Sequence, residues 1–218
     1  MADRSYVPHF SKSLRLVAAG LCLERGPRRL VDGLDVALGP GEALLVTGPN
    51  GTGKSTLLRA LAGLLAPAAG TVRIEGDGAD EEHPTLVAHY VGHLEAARGM
   101  LTTRENLEFW AAMLGGIGSG GLPVRDALTL LGVPQIAELP FAYLSAGQKR
   151  RASLARLLIA PRPIWILDEP MTALDTASQG VVTTLARQHL DAGGSLVAAT
   201  HVPLGLERAR ELRLGAAP

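Results

Sequence analysis

Gly48-Pro49-Asn50-Gly51-Thr52-Gly53-Lys54-Ser55 fits the pattern G-x-x-x-x-G-K-[ST] and lies between an apolar run, Glu42–Thr47, and an amphipathic stretch, Lys54–Leu65. No other feature constrains the fold as tightly. A strand that turns through glycines straight into a helix curls backbone N–H groups around one point. The helix N-terminus adds a partial positive charge there, so the turn is a nest for a phosphate-sized anion. Lys54 at this spacing reaches the β- and γ-phosphates of a nucleotide, and the Ser55 hydroxyl can ligate Mg²⁺, with Thr56 next in the helix. Only three of the 21 basic residues are lysine (Lys12, Lys54 and Lys149), so the lysine in this loop is not drawn from an abundant pool.

A second motif complements the first. Ile164-Trp165-Ile166-Leu167 is an apolar run ending in Asp168-Glu169. A buried strand carries Asp168 to its C-terminal end, where a carboxylate can hold the same Mg²⁺. Side chains alternate along a strand, so Glu169 points elsewhere and can polarise an attacking water as a general base.

Composition removes several other classes. The 218 residues fit one domain, or one domain with a small subdomain. A formal net charge of zero argues against holding nucleic acid by bulk electrostatics. One cysteine, Cys22, excludes an intramolecular disulfide framework. No apolar run approaches the roughly 20 residues that a bilayer span needs. Leu16–Leu23 follows Lys12 and Arg15 as a signal peptide would, but it runs into Glu24-Arg25 without a small-residue cleavage site and reads as a strand. The expected location is therefore cytoplasmic, with any membrane association supplied by a partner.

Patterning divides the chain. Residues 1–13 are polar and read as a loose N-terminus. Strands are expected at Leu14–Ala19, Leu34–Leu38, Glu42–Thr47, Val72–Ile74, Leu86–Val91, Ile164–Leu167 and Ser195–Ala199. Gly39-Pro40-Gly41 reads as a turn between antiparallel strands, and Asp77–Glu82 as an acidic solvated turn. Leu57, Leu58, Leu61, Leu64 and Leu65 set a helix after the phosphate loop. Residues 102–160 read as a helical insertion, with helices from Thr103 through Met113, from Val124 to Leu131 and from about Ser145, interrupted by the Gly115–Gly121 break. Thr103 and Asn106 only loosely fit a capping box. A further helix is expected from about Thr176 to Leu190. Strands alternating with helices indicate an α/β core with a mostly parallel sheet, an antiparallel β subdomain and the helical insertion.

Leu144-Ser145-Ala146-Gly147-Gln148 lies between the two motifs, with Ser145 23 residues before Asp168. A serine at a helix start, with N–H groups behind it, makes a second cradle for a γ-phosphate. The pentapeptide resembles the signature sequence of the ABC ATPases, usually LSGGQ, with Ala146 replacing one glycine. The resemblance extends in order over most of residues 14–201 and makes the fold a P-loop NTPase of the ABC type, over residues 14–218. It implies that Ala173-Leu174-Asp175 is the D-loop, which helps couple two active sites, and that His201 is the switch histidine at the γ-phosphate.

Two positions depart from the family pattern. His93 stands where the Q-loop glutamine is usual; its imidazole can hydrogen-bond, but hard Mg²⁺ prefers oxygen. The adenine-stacking aromatic is replaced by Arg25, whose guanidinium either stacks on the base or is simply solvated.

The family implies a mechanism that needs two chains. Two such chains close head to tail around ATP, so that Ser145 and Gly147 of one meet the nucleotide held by Lys54 of the other, and hydrolysis assisted by Glu169 reopens the pair. The helical insertion and the His93 loop would face integral membrane subunits. Leu21–Leu30, the GHLEAARGMLTTRENLEFW stretch and LSAGQKRRASLARL resemble the ATP-binding subunit of the Ccm-type haem exporter of cytochrome c biogenesis. The short tail after His201, 17 residues, leaves no room there for a regulatory domain. The chain has no Cys-x-x-Cys-His, and its six histidines form no cluster, so direct haem binding is not expected. Alternatives are the ATP-binding subunit of another ABC efflux or uptake system, a soluble non-transport ABC ATPase, and a P-loop small-molecule kinase, which would have no use for Ser145–Gln148.

Overall fold

A computed structural model describes residue 10 and residues 13–76, 83–93, 96–115 and 120–215. The expected loose N-terminus at 1–13, the acidic turn Asp77–Glu82 and the middle of the Gly115–Gly121 break lie wholly or largely outside the described residues. Two sheets organise the rest. The antiparallel sheet contains β1 (Leu14–Arg25), β2 (Arg28–Leu38) and β4 (Ala69–Gly76), in the order β2-β1-β4. The other contains β3 (Ala43–Thr47), β5 (Ala88–Val91), β6 (Ile164–Asp168), β7 (Ser195–Ala199) and β8 (Arg210–Arg213), in the order β5-β6-β7-β3-β8 with every described pair parallel.

The helices are α1 (Lys54–Leu61), α2 (Pro84–Val87), α3 (Thr103–Met113), α4 (Val124–Leu130), α5 (Ala146–Ile159) and α6 (Thr176–Asp191). The parallel sheet is a wall between two cores, because strand side chains alternate faces. Ile164 and Ile166 of β6 pack with α1 and the antiparallel sheet, whereas Trp165 and Leu167 face the core of the helical region. Every residue of β6 and β7 is buried, as expected of apolar runs in a covered parallel sheet.

In β1 the buried set is Leu14, Leu16 and Ala18, then Leu21 and Leu23, so the alternation changes phase at Gly20. The register shifts there against both neighbours, and Gly20 adopts φ 57°, which lets the strand bulge and keep its apolar face inward. Cys22 belongs to this irregularity: its thiol lies 3.3 Å from Asp32 Oδ1 and accepts from the Gly33 N–H at 3.3 Å.

Four local expectations are corrected. Gly39-Pro40-Gly41 joins no hairpin; it carries the chain from β2 in one sheet to β3 in the other. β3 is buried between β7 and β8, so its apolar run satisfies neighbours far along the chain rather than β2. The helix α1 ends at Leu61, because Gly63 at φ 72° turns the chain out, and Leu64 and Leu65 leave the core. Leu86 and Val87 belong to a single helical turn primed by Pro84, and the strand begins at Ala88. The capping box of α3 is one residue earlier than expected: Thr102 accepts from the Glu105 N–H at 3.1 Å, and Glu105 accepts from the Thr102 N–H at 2.7 Å.

Candidate functional site

The loop between β3 and α1 is built so that no side chain fills its centre. Gly53 caps α1 at φ 104° without a side-chain hydrogen bond, and a Cβ there would lie 2.9 Å from the Leu30 Cβ. Gly48 is equally obligatory, since a Cβ would fall 2.3 Å from the Leu214 carbonyl oxygen. The first turn of α1 holds no acidic residue to compete for its N–H groups. Lys54 is buried and donates to the carbonyls of Gly48 at 2.7 Å and Pro49 at 3.1 Å, which holds its amine over the loop mouth.

A cavity of about 380 Å³ opens at this point, lined by Arg25, Leu30, Asn50, Gly51, Gly53, Lys54, Ser55, Thr56, Arg59, His93, Asp168 and Glu169. The sheet explains the meeting. β3 and β6 are parallel strands of one sheet, so the chain leaves both at the same edge. The Ser55 hydroxyl and the Asp168 carboxylate offer hard oxygen donors to one volume, a set that fits Mg²⁺ completing its shell with phosphate and water. The Asp168 charge also bears on Tyr90, whose phenol is pushed up by burial first and by that carboxylate second.

Glu169 occupies left-handed backbone at φ 50°, a conformation that costs a non-glycine residue about 1–3 kcal/mol and needs its surroundings to hold it. Its N–H donates to Ala199 at 2.8 Å, and the Thr172 N–H closes a turn onto its carbonyl at 3.2 Å. His201, after β7, joins the same group. Its backbone N–H donates to Glu169 Oε2 at 3.4 Å, and its Nε2 lies 3.2 Å from Asn50 Oδ1 and 3.4 Å from Glu169 Oε1.

The second candidate cradle is elsewhere. Ser145, Ala146, Gly147, Gln148 and Asp175 do not line this cavity. Ser145 caps α5 by accepting from the Gln148 N–H at 3.3 Å, while Gln148 accepts from the Ser145 N–H at 2.9 Å. The N–H groups of Gln148 and Ser145 are therefore already engaged, which leaves the Ser145 hydroxyl proton and the first-turn N–H groups of Ala146 and Gly147 without an intrahelical partner. Gly147 packs so closely on the D-loop candidate that a Cβ would lie 2.7 Å from the Ala173 carbonyl. Asp175 caps α6 through the Ser178 N–H at 2.8 Å, and hydrogen bonds from Ser178 hold its carboxyl below the usual range.

Sequence reasoning missed three residues of the site. Leu30 and Arg59 line the cavity; Arg59 lies one turn beyond Ser55 and donates to its carbonyl at 3.2 Å, a spacing that could have flagged it. Leu30 is far away in the chain and carried no local signal. Arg150 is buried among backbone carbonyls beside Glu169 and gave only a basic run to read.

The ABC transporter family model matches residues 31–172. The chain belongs to the ABC transporter family. Among its relatives, the cytochrome c biogenesis ATP-binding export protein CcmA of Rhizobium meliloti (strain 1021) is 49% identical over 202 residues, covering 92% of this chain and 98% of the relative. The protein of the same name from Nitrobacter winogradskyi is 50% identical over 204 residues, covering 94% and 100%. The fold resembles a dimeric post-hydrolysis state of the ATP-binding cassette MJ0796 bound to ADP and Pi, with TM-score 0.75, 23% identity and coverage of 92% and 97%. An ABC transporter ATP-binding protein from Pyrococcus furiosus matches with TM-score 0.74, 20% identity and coverage of 91% and 97%. As an ABC ATPase the chain is the nucleotide-binding, ATP-hydrolysing type of subunit, with the α/β fold of a parallel and an antiparallel sheet expected of that family. Among the described residues no helix is long and apolar enough to cross a membrane.

Proposed function

We propose that this chain is the ATP-hydrolysing subunit of a bacterial haem exporter serving cytochrome c biogenesis. In this reading it is a peripheral protein on the cytoplasmic face of the inner membrane, bound to integral membrane subunits that carry the transport path. The relatives named as cytochrome c biogenesis export proteins, matched over nearly their whole length, support the system assignment. Residues 14–218 act as one ABC ATPase domain, with the segment of about 102–160 as its helical subdomain.

One observation carries the mechanism: a single cavity gathers Lys54, Ser55, Asp168 and Glu169, while the N-terminus of α5 stands outside it. Gly48 to Thr56 bind the triphosphate, with Lys54 neutralising the β- and γ-phosphates. Arg25 covers the base, and Leu30 packs against the phosphate loop at Gly53. Ser55 and Asp168 would hold Mg²⁺, which would supply Lewis-acid stabilisation of charge on the phosphate oxygens. Glu169 accepts the proton of the attacking water, and His201, steadied by Asn50 and Glu169, hydrogen-bonds the γ-phosphate. His93 senses the same end of the nucleotide from its loop. A second copy, docked head to tail, brings Ser145, Ala146, Gly147 and Gln148 to the γ-phosphate from the far side, with Asp175 near the dimer seam. ATP is then the adhesive of the dimer, and hydrolysis releases it.

Deletion of the protein in its own cell tests the assignment. Periplasmic c-type cytochromes should fail to mature, with recovery from a wild-type copy and none from Lys54→Ala. Normal maturation in the deletion strain would favour another ABC system instead, and the membrane subunits that co-purify would identify it.

A further inference from the structure

The outer edge of β5 is held in an unusual way. β5 is the edge strand of the parallel sheet, and among the described residues no strand neighbours its outward carbonyls. Three arginines take them in turn: Arg162 donates to Ala88 at 2.8 Å, Arg156 to Tyr90 at 2.8 Å and Arg150 to Gly92 at 2.8 Å. Residues 88, 90 and 92 are alternate positions, as strand geometry requires, and the arginines recur every six residues on and just beyond α5.

Arg150 differs from the other two in where its remaining donors go. Its guanidinium also donates to the Asp168 carbonyl at 2.6 Å and to the Pro170 carbonyl at 3.3 Å. Those two carbonyls flank Glu169, the residue in left-handed backbone. The third carbonyl, of Gly92, immediately precedes His93. One buried, planar fork therefore fixes the backbone before and after the carboxylate and the root of the His93 loop, from five residues into the chain after Ser145.

We infer that Arg150 is a positioning residue for ATP hydrolysis: it holds Glu169 in its strained backbone and ties it to the signature helix α5. The inference rests on the reading of Glu169 as the general base and deepens it. Arg150 is not among the residues that line the nucleotide cavity; it acts through the Asp168 and Pro170 carbonyls. A lysine cannot reach three carbonyls in three directions, so it releases at least one of them. The expected effect is on the chemical step rather than on nucleotide capture, because Lys54 and its loop bond none of these groups.

The test is steady-state ATP turnover of the full chain. Arg150→Lys should lower kcat about 10- to 100-fold, with KM for ATP within about threefold of wild type. Arg162→Lys, which disturbs the same strand edge away from Glu169, should leave kcat per folded protein within about twofold. Combining Arg150→Lys with Glu169→Gln should cause no further loss, since both act on one group. Wild-type kcat in Arg150→Lys beside an inactive Glu169→Gln would overturn this inference alone, as would equal losses in Arg150→Lys and Arg162→Lys, or multiplicative losses in the double variant. Wild-type turnover in Glu169→Gln would remove the base assignment, and this inference with it. If Arg150→Lys does not fold, Arg150→Gln takes its place under the same criteria; failure of both to fold, read by circular dichroism, would assign Arg150 to the fold and overturn the inference.

Discussion

The helices α1 and α5 both begin where the proposed mechanism needs a phosphate, yet their N-termini are built in opposite ways. At α1 the cap is Gly53 in left-handed backbone, no side chain satisfies the first turn, and Lys54 folds back on the carbonyls of Gly48 and Pro49. At α5 Ser145 and Gln148 close a full capping box. An uncapped N-terminus with an adjacent buried amine is held open by the fold itself, as a resident anion site requires. A capped one is stable alone and offers only a hydroxyl proton and the backbone of two small residues. The first is suited to hold nucleotide within one chain, and the second to meet a phosphate that another surface presents.

Removing the amine should break the first terminus outright. Lys54→Ala is expected to lower ATP turnover by more than about 100-fold and to weaken ATP binding, measured by phosphate release and by equilibrium titration. Retained affinity would mean that the loop alone carries the nucleotide. At the second terminus the effects should separate: Ser145→Ala should lower turnover about tenfold while ATP affinity of the isolated chain stays within about twofold. The lost cap should also cost about 1 kcal/mol, visible in urea unfolding.

Acid should act through the other end of α5. His89 lies against the Ala160 carbonyl at the C-cap of that helix, and burial pushes its pKa down to about 3; buried His189, stacked on Trp165, is likewise lowered to about 3. Both are neutral in the folded protein, whereas in the unfolded chain they protonate below about pH 6.5. The unfolded state therefore binds more protons between about pH 6.5 and 3, and stability falls as pH drops through that window, by up to about 1.4 kcal/mol per pH unit for each histidine. His89→Gln keeps a donor without the titration and should flatten the loss of urea midpoint between pH 7 and 5. An unchanged pH slope would place the acid sensitivity elsewhere. The smallest effect belongs to Ala146→Gly, which restores the usual signature residue. It should leave turnover within about twofold and cost no more than about 1 kcal/mol in helix stability.

These contrasts bear on what could be read from the chain. The phosphate loop was legible because its chemistry is local: eight consecutive residues supply the turn, the amine and the hydroxyl. The strand before Asp168 was legible because four apolar residues followed by two carboxylates have few other uses. Connections were harder. Gly39-Pro40-Gly41 has the composition of a hairpin turn, and only the distant partners of β3 make it a passage between sheets. The capping box of α3 is ambiguous in sequence because adjacent threonines, Thr102 and Thr103, compete for the cap, and only Thr102 has a glutamate three residues on. Leu30 carried no local signal of a place in the site, and Arg150 only that of a basic run. Each reaches the site across the fold, and a side chain that bonds backbone carbonyls leaves no complementary residue type to find in the sequence.

The role divided between the two helix starts is tested most directly by the oligomeric state of Glu169→Gln with ATP and Mg²⁺, followed by size-exclusion chromatography with light scattering. Glu169→Gln should form an ATP-dependent dimer. Adding Ser145→Asp should leave a monomer, because aspartate caps a helix as well as serine does but sets a negative charge against the γ-phosphate. A dimer that persists in the double variant, or no dimer in Glu169→Gln itself, would contradict that division of roles.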